Sequence, residues 1–217
     1  MANASYSRSK LSSIGRGGRL VGTRELKKTI RIVVEGEKTE KIYFNKFRKT
    51  ADLAATEVKV INSRKGTSAT QIVKEGLKLL EQEFPRIDEV WCVFDKEGKK
   101  CERNFKLAME LASQEVPAGK RLQCAVSNPC FEFWILLHAE KTDKPFCDCN
   151  EVLGHLRKWV PLYTKSNRPE IEKICSSAHK AVQHAIWLRS RNVECPSTNV
   201  DLLIVALSNE NFKIRQI

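Results

Sequence analysis

Residues 29–40, TIRIVVEGEKTE, decide the fold of this 217-residue chain. The apolar run at residues 30–34 is rich in β-branched side chains and is typical of a buried strand. Glu35 follows at the carboxyl end of that strand, and Gly36 allows a turn because it has no Cβ atom. The stretch therefore predicts a strand, a glycine turn and the first turn of a helix, with a carboxylate at the turn.

A second run of the same kind, EVWCVFDKEG at residues 89–98, ends in Asp95 and Glu97. Ligands of open α/β sheets bind beyond the carboxyl ends of the strands. If the two strands are neighbours, Glu35, Asp95 and Glu97 converge on one edge, and carboxylates are preferred ligands of Mg²⁺ or Mn²⁺. The alternative is that these residues are solvated charges at strand ends, because the spacing alone does not fix a metal.

Strand and helix patterns alternate four times between residues 29 and 140. This alternation predicts an α/β core with a mostly parallel sheet of about four strands flanked by helices. Residues 141–217 are predicted to form a helical extension packed on that core. In detail, Asn128 and Pro129 predict a helix start, one helix is expected over 169–190, and Thr198 is expected to cap the last helix.

The chain carries a formal net charge of +12, and half of it comes from residues 1–28, which hold seven basic side chains and one acidic side chain. This segment is predicted to be a disordered arm that attracts phosphate groups, although a solubilising tail would have the same composition. No apolar run long enough for a membrane span and no secretory signal is present. We therefore expect a cytoplasmic protein that does not enter membranes.

Eight cysteines occur in the chain, and a cytoplasmic location predicts that their thiols are reduced. Cys147 and Cys149 lack the spacing of a zinc knuckle and have no matching second pair, so we do not expect them to bind zinc.

Two further stretches bear on the family, besides the turn at Glu35 and Gly36. They are SNPCFEFW at residues 127–134, with LLH at residues 136–138, and PST at residues 196–198. Together with EGEKTE at 35–40 and VFDKE at 93–97, they resemble the RloB-like family, a branch of proteins with a Toprim-like domain. The resemblance covers roughly residues 29–207.

The resemblance implies a Toprim-like fold, a role in bacterial defence against phage and a metal-dependent nuclease activity on RNA, tRNA included, or DNA. It also implies an ATPase partner protein. Glu35 would be the Toprim glutamate and Asp95 the first aspartate of the Asp-x-Asp motif, whereas Glu97 replaces the second aspartate with a longer side chain. The chain is too short for the added domains of a topoisomerase or primase. A non-catalytic nucleic-acid-binding protein or a regulatory subunit of an ATPase complex remains the alternative.

The remaining candidate site residues are chosen by where they lie relative to the predicted sheet edge and helix start. Glu132 is a candidate catalytic carboxylate because its helix starts at the same sheet edge, although the helix dipole alone would favour an acidic residue there. Ser127 and Asn128 are helix caps or phosphate contacts, and His138 is a packed histidine or a substrate contact. The full set of candidate substrate contacts is Lys38, Arg64, Lys65, Lys96, Ser127, Asn128 and His138.

Overall fold

The computed structural model describes residues 29–36, 38–50, 56–60, 68–96, 102–114 and 116–208. These residues form five strands and eight helices. In chain order they are β1 (Ile30–Val34), α1 (Thr39–Thr50), β2 (Thr56–Val60), α2 (Ala69–Gln82), β3 (Glu89–Asp95), α3 (Glu102–Ala112), β4 (Arg121–Asn128), α4 (Phe131–Leu136), α5 (Cys149–Trp159), α6 (Arg168–Cys175), α7 (Ala178–Ser190), β5 (Ser197–Thr198) and α8 (Val200–Leu207).

The sheet has the strand order β2-β1-β3-β4-β5. Strands β1 to β4 are parallel to their neighbours, and the two-residue strand β5 is antiparallel to β4. The predicted α/β class with a mostly parallel sheet of about four strands is confirmed. Strand β5 is an addition to the predicted sheet, since its two residues are too few to give a pattern in the sequence.

Side chains alternate between the two faces of the sheet, as the period of a strand requires. In β1, Ile32 and Val34 face a hydrophobic cluster with α1 and helices α4–α8, whereas Val33 faces a second cluster with α2 and α3. Both faces are therefore covered, which explains why β1 and β3 are almost continuously apolar. The helices of the last third of the chain share one hydrophobic core with the sheet.

Helix α4 begins later than the sequence predicts. Asn128 stays in β4, paired with Ser197, and its side-chain amide donates to the carbonyl oxygen of Glu194 at 2.8 Å. It is therefore not available as a cap, and Cys130 takes the N-cap position instead. The six residues of α4 are all buried, as expected for a helix that is apolar except for Glu132.

Two other expectations about helices were wrong. The helix expected over 169–190 is two helices, because the hydroxyls of Ser176 and Ser177 donate to the carbonyls of Lys173 and Ile174 and compete with the helical bonds. Thr198 lies in β5, so Asn199 precedes α8 as its N-cap residue. In the part of the chain that the structure describes, no helix is both long and apolar enough to cross a lipid bilayer.

Candidate functional site

The carboxyl ends of β1 and β3 place two carboxylates side by side. The backbone N–H of Glu35 donates to the carbonyl oxygen of Val93 at 3.1 Å and so continues the pairing of β1 with β3. The backbone N–H of Asp95 donates in turn to Oε2 of Glu35 at 3.3 Å. The structure thus brings Glu35 and Asp95 together at the edge where parallel sheets bind ligands.

A third carboxylate reaches this edge from the first turn of α1. Glu40 folds back over the turn so closely that a Cβ atom on Gly36 would overlap its carboxylate. Burial raises the pKa of Glu40, and the nearby Glu132 adds to the rise, although backbone N–H groups of Glu40 and Gly36 favour the charged form. The absence of a side chain at Gly36 is therefore what admits Glu40 to the site.

Asp95 is the residue whose ionisation is most strongly opposed at this edge. Burial raises its pKa well above the ordinary value, and the charges of Glu40, Glu35 and Glu132 raise it further. Lys165 acts in the opposite direction. Like charges that are crowded in this way destabilise one another and are relieved by a cation or a proton.

Glu132 lies behind these carboxylates in α4 and is 2% exposed. The ammonium group of Lys165 lies 3.2 Å from its Oε2, while the Thr39 hydroxyl donates to its Oε1 at 3.2 Å. The Tyr163 hydroxyl donates to the same Oε1 at 3.5 Å. A buried carboxylate requires partners such as these, one cation and two hydroxyl donors. Glu132 is therefore held in place by side chains from α1 and from the segment between α5 and α6.

Lys165 combines a buried contact with an exposed side chain. Burial by itself lowers the pKa of Lys165, but Glu132, Asp95 and Glu40 outweigh that effect and raise it. Its side chain is 52% exposed, and its carbonyl oxygen accepts from the Thr39 hydroxyl at 3.1 Å. A protonated amine is thus fixed next to the carboxylates while remaining open to solvent.

Three of the predicted substrate contacts lie near the same edge, beside a groove of about 540 Å³. Lys96 and Asn128 line this groove, and the Lys96 ammonium lies 5.4 Å from the centre of the Phe105 ring. Ser127 is 1% exposed and its hydroxyl is hydrogen-bonded to Thr198 at 2.9 Å. Lys96 therefore borders open space, whereas Asn128, which is buried and bonded to Glu194, and Ser127 contribute to the joint between β4 and β5.

His138 occupies the core rather than the edge. Its Nδ1 lies 3.0 Å from the carbonyl oxygen of Trp134 and must therefore carry the proton, so that Nε2 accepts from the Tyr43 hydroxyl at 2.9 Å. Burial lowers the pKa of His138 to about 4, and it stays neutral at pH 7. Lys38 is exposed at the start of α1. Glu97, Arg64 and Lys65 lie outside the described residues.

The sequence did not single out Glu40 or Thr39 as site residues. Its only reason to consider Tyr163 and Lys165 as substrate contacts was their position in a basic loop. Glu40 belongs to the stretch EGEKTE at residues 35–40. Its position in the first turn of α1, directly after the turn at Gly36, was the signal that could have identified it as a site residue. Lys165 lies 33 positions beyond Glu132, and no local pattern connects the two.

One pair of cysteines also lies against Glu132. Cys130 and Cys149 form a disulfide with a Cα–Cα distance of 5.6 Å, which differs from the expectation that the thiols are reduced. The sequence could not predict this pair, because it depends on the contact between α4 and the first residue of α5. The Sγ atom of Cys149 lies 3.3 Å from Oε2 of Glu132.

A sequence profile described as RloB-like protein matches residues 30–207. The chain belongs to the RloB-like family. The match runs from the first residue of β1 to the last residue of α8, so it includes the carboxylates at the sheet edge, α4 and the Lys165 segment. No curated protein and no solved structure matches the chain. A function for this RloB-like protein is therefore inferred from its own residues.

Proposed function

We propose that this RloB-like protein is a Mg²⁺- or Mn²⁺-dependent nuclease that hydrolyses phosphodiester bonds of RNA or DNA. The observation that carries the proposal is the group of three carboxylates at the sheet edge. Glu35 follows β1, Glu40 lies in α1 and Asp95 ends β3. Burial raises the pKa of Asp95, and the charges of Glu40 and Glu35 raise it further. Oxygen ligands that are crowded in this way suit a hard divalent cation.

The donor set fits such a cation, since Mg²⁺ is usually held by one or two carboxylates together with water and substrate phosphates. Glu35, Glu40 and Asp95 would hold it. A bound cation would offset phosphate charge, activate water and stabilise the leaving oxygen. Among the described residues, these three carboxylates do not all have an oxygen atom within 4.8 Å of the others. A bound cation would draw them closer, and substrate and water would complete its coordination.

Glu132 and Lys165 have a different role in this proposal. Glu132 makes charged and neutral hydrogen bonds on both carboxylate oxygens and thereby orients Lys165. The exposed ammonium group of Lys165 is then available to contact a substrate phosphate beside the cation. Lys96, at the neighbouring groove, offers a second positive charge next to Asp95.

The net charge of +12 supports a polyanionic substrate, since basic proteins attract nucleic acids through their phosphates. The resemblance to Toprim-like defence proteins, rather than any contact in the structure, supports a role as a toxic effector in anti-phage defence. It also supports an ATPase partner and a cytoplasmic location. The charge does not favour RNA over DNA.

The test is divalent-dependent cleavage by purified protein, with total tRNA, single-stranded DNA and duplex DNA as substrates. We expect Mg²⁺ or Mn²⁺ to support cleavage and EDTA to abolish it. Glu35→Gln, Glu40→Gln and Asp95→Asn should each lower the rate by about 100-fold, which is the upper range for altering the surroundings of a metal ion. Equal cleavage rates in the unaltered chain and in all three variants would rule out the proposed site.

The matched control is Glu110→Gln, which neutralises an exposed carboxylate on α3, on the opposite face of the sheet from α1. It should leave the rate unchanged. Because a defence nuclease can require a trigger or an ATPase partner, toxicity on expression in bacterial cells should be scored for the same variants. Loss of toxicity with Asp95→Asn but not with Glu110→Gln supports the same assignment.

The groove beside Lys96 favours one other function, a nucleic-acid-binding subunit that does not cleave. Lys96 could contact a phosphate there without any metal, beside Glu102 and Glu194, which also line the groove. In that case binding measured by filter retention survives EDTA, weakens steeply with salt and yields no product. A Lys96→Gln variant would then lose affinity, whereas Asp95→Asn would bind at least as well as the unaltered chain because it removes a negative charge.

A further inference from the structure

Three potential metal ligands of a different chemical kind lie together behind the sheet edge. The Sγ atoms of Cys130 and Cys149 and a carboxylate oxygen of Glu132 all lie within 4.8 Å of one another. Cys130 is 3% exposed and Glu132 is 2% exposed, so two of the three are buried. Cys130 precedes α4, Glu132 lies in its first turn and Cys149 begins α5. The contact between α4 and α5 therefore assembles this group.

The contact between Glu132 and the sulfur atom of Cys149 indicates which redox state of the two cysteines suits this carboxylate. Oε2 of Glu132 lies 3.3 Å from Sγ of Cys149. A disulfide sulfur has no proton to donate, whereas a thiol can donate a weak hydrogen bond and a cation can bind both atoms at once. A buried carboxylate oxygen that faces sulfur is therefore better satisfied when the two thiols are reduced.

The ligand set is typical of zinc rather than of magnesium. Thiolates select soft or borderline cations, and Zn²⁺ accepts sulfur and carboxylate ligands in a tetrahedral arrangement. Three protein ligands leave a fourth position for water. Glu35, Glu40 and Asp95, in contrast, offer only oxygen.

The charges around this group also balance. Two thiolates and the Glu132 carboxylate carry three negative charges, which a divalent cation and the ammonium group of Lys165 neutralise. Lys165 is already in place, 3.2 Å from Oε2 of Glu132. Cys149 is the first residue of the eleven-residue helix α5, where the positive end of the helix favours a thiolate. A buried set of charges is stable only when it is neutralised in this way.

We propose that Cys130, Cys149 and Glu132, once the disulfide is reduced, bind a zinc-class divalent cation. A dithiol reductant converts the disulfide to two thiols and is itself oxidised to a disulfide. Binding of the cation then forms two metal–sulfur bonds and one metal–oxygen bond and releases the two thiol protons to solvent. The oxidised pair and the metal site are mutually exclusive states of the same two sulfur atoms.

The test uses Co²⁺ as a spectroscopic substitute for Zn²⁺. The full chain is reduced with dithiothreitol, freed of reductant without oxygen, and titrated with Co²⁺. We expect a thiolate-to-cobalt charge-transfer band together with the visible bands of tetrahedral cobalt, and Zn²⁺ should abolish both. Protein in which the disulfide is intact has the same fold but no thiolates at this position, so it should not give these bands.

Variants identify the ligands. Cys149→Ser and Glu132→Gln should weaken Co²⁺ binding by about 10- to 100-fold, as is usual when a metal's surroundings are altered. Cys147→Ser, two positions away and exposed, and Cys195→Ser should bind as the unaltered chain does. Circular dichroism of each variant checks that it has folded.

Absence of the charge-transfer band in the reduced chain would overturn the proposal, and so would an unchanged band in Cys149→Ser. Reversible disulfide formation without any Co²⁺ binding would also overturn it, and would leave only a redox-active pair. The test does not depend on the nuclease activity, because Asp95→Asn should keep the cobalt bands even if it abolishes cleavage.

Discussion

Asp95 carries the largest electrostatic cost at the sheet edge, because burial and three neighbouring carboxylates all oppose its ionisation. The same crowding that makes Asp95 a ligand for a cation destabilises the protein when no cation is bound. A residue of this kind is expected to lower the stability of the metal-free protein and to increase its affinity for a cation.

We therefore expect Asp95→Asn to stabilise the metal-free protein at neutral pH. The gain should be about 0.5–2 kcal/mol, the usual range for a single stabilising substitution, and the melting temperature should rise by roughly 2–4 °C for each kcal/mol. Scanning calorimetry in EDTA measures it, with Glu110→Gln as the control that should not change. A melting temperature lowered by Asp95→Asn would contradict the electrostatic assignment.

The pH dependence has a definite sign. The pKa of Asp95 is higher in the folded chain than in the unfolded chain, so the folded state holds the proton over the interval between the two values. Stability of the metal-free chain therefore falls as pH rises from the ordinary aspartate range through the raised pKa. Asp95→Asn should remove this part of the decline, which calorimetry at a series of pH values measures.

Gly36 provides a second test at the scale of one residue. A Cβ atom there would overlap the Glu40 carboxylate, which is the far end of a flexible side chain and can move away. Gly36→Ala should therefore displace Glu40 and lower the free energy of unfolding by about 1 kcal/mol at most. The loss should be smaller in a Glu40→Ala background, because the clash is then absent. Denaturant unfolding of the four proteins of this cycle measures the coupling.

The control for Gly36→Ala is Gly154→Ala in α5, where a Cβ atom would meet no other atom within 4 Å. That substitution should stabilise the chain by roughly 0.5–1 kcal/mol through helix propensity. Equal effects of Gly36→Ala with and without Glu40 would show that the turn does not place Glu40 as described.

At the scale of whole elements, the strands β1 and β3 could be predicted because continuous apolar runs that end in charged residues are characteristic of parallel sheets. The first turn of α1 was predicted directly after the glycine turn, where the structure has it. The start of α4 was not predicted, because the side chain of Asn128 is bonded to Glu194, 66 positions further on. Capping patterns describe local sequence and do not register such a distant partner.

Helix α2 depends on a close approach to the sheet. A Cβ atom on Gly76 would lie 2.6 Å from Sγ of Cys92 in β3 and 3.1 Å from Cδ1 of Leu122 in β4. Gly76→Ala should therefore destabilise the chain by about 1–3 kcal/mol despite the better helix propensity of alanine. Thermal unfolding compared with Gly154→Ala measures this difference, and stabilisation by both substitutions would refute the described packing.

The candidate site was only partly predictable from the sequence, because several of its residues meet only through contacts between distant parts of the chain. Glu35 and Asp95 were identified because each ends a strand, and parallel strands end at the same edge. Glu40, Lys165 and Tyr163 join them through the folding of α1 and of the segment between α5 and α6. Nothing in the residues adjacent to these three in sequence specifies that approach.

At the scale of the whole molecule, the site exists only when most of the chain has folded. Its side chains come from β1, α1, β3, α4 and the segment before α6, which span residues 35 to 165. The helices of the last third close one face of the sheet and share its hydrophobic core. Binding of a cation at the edge therefore reports on the complete arrangement rather than on one motif.

The most direct test of the account is a titration of the purified chain with Mn²⁺, followed by the loss of the electron paramagnetic resonance signal of free Mn²⁺. We expect one site whose affinity increases with pH, because protons compete with Mn²⁺ for Asp95, and which Asp95→Asn weakens by about 10- to 100-fold while Glu110→Gln leaves it unchanged. Absence of Mn²⁺ binding, or equal binding by Asp95→Asn, would contradict the central claim that Glu35, Glu40 and Asp95 form a metal site.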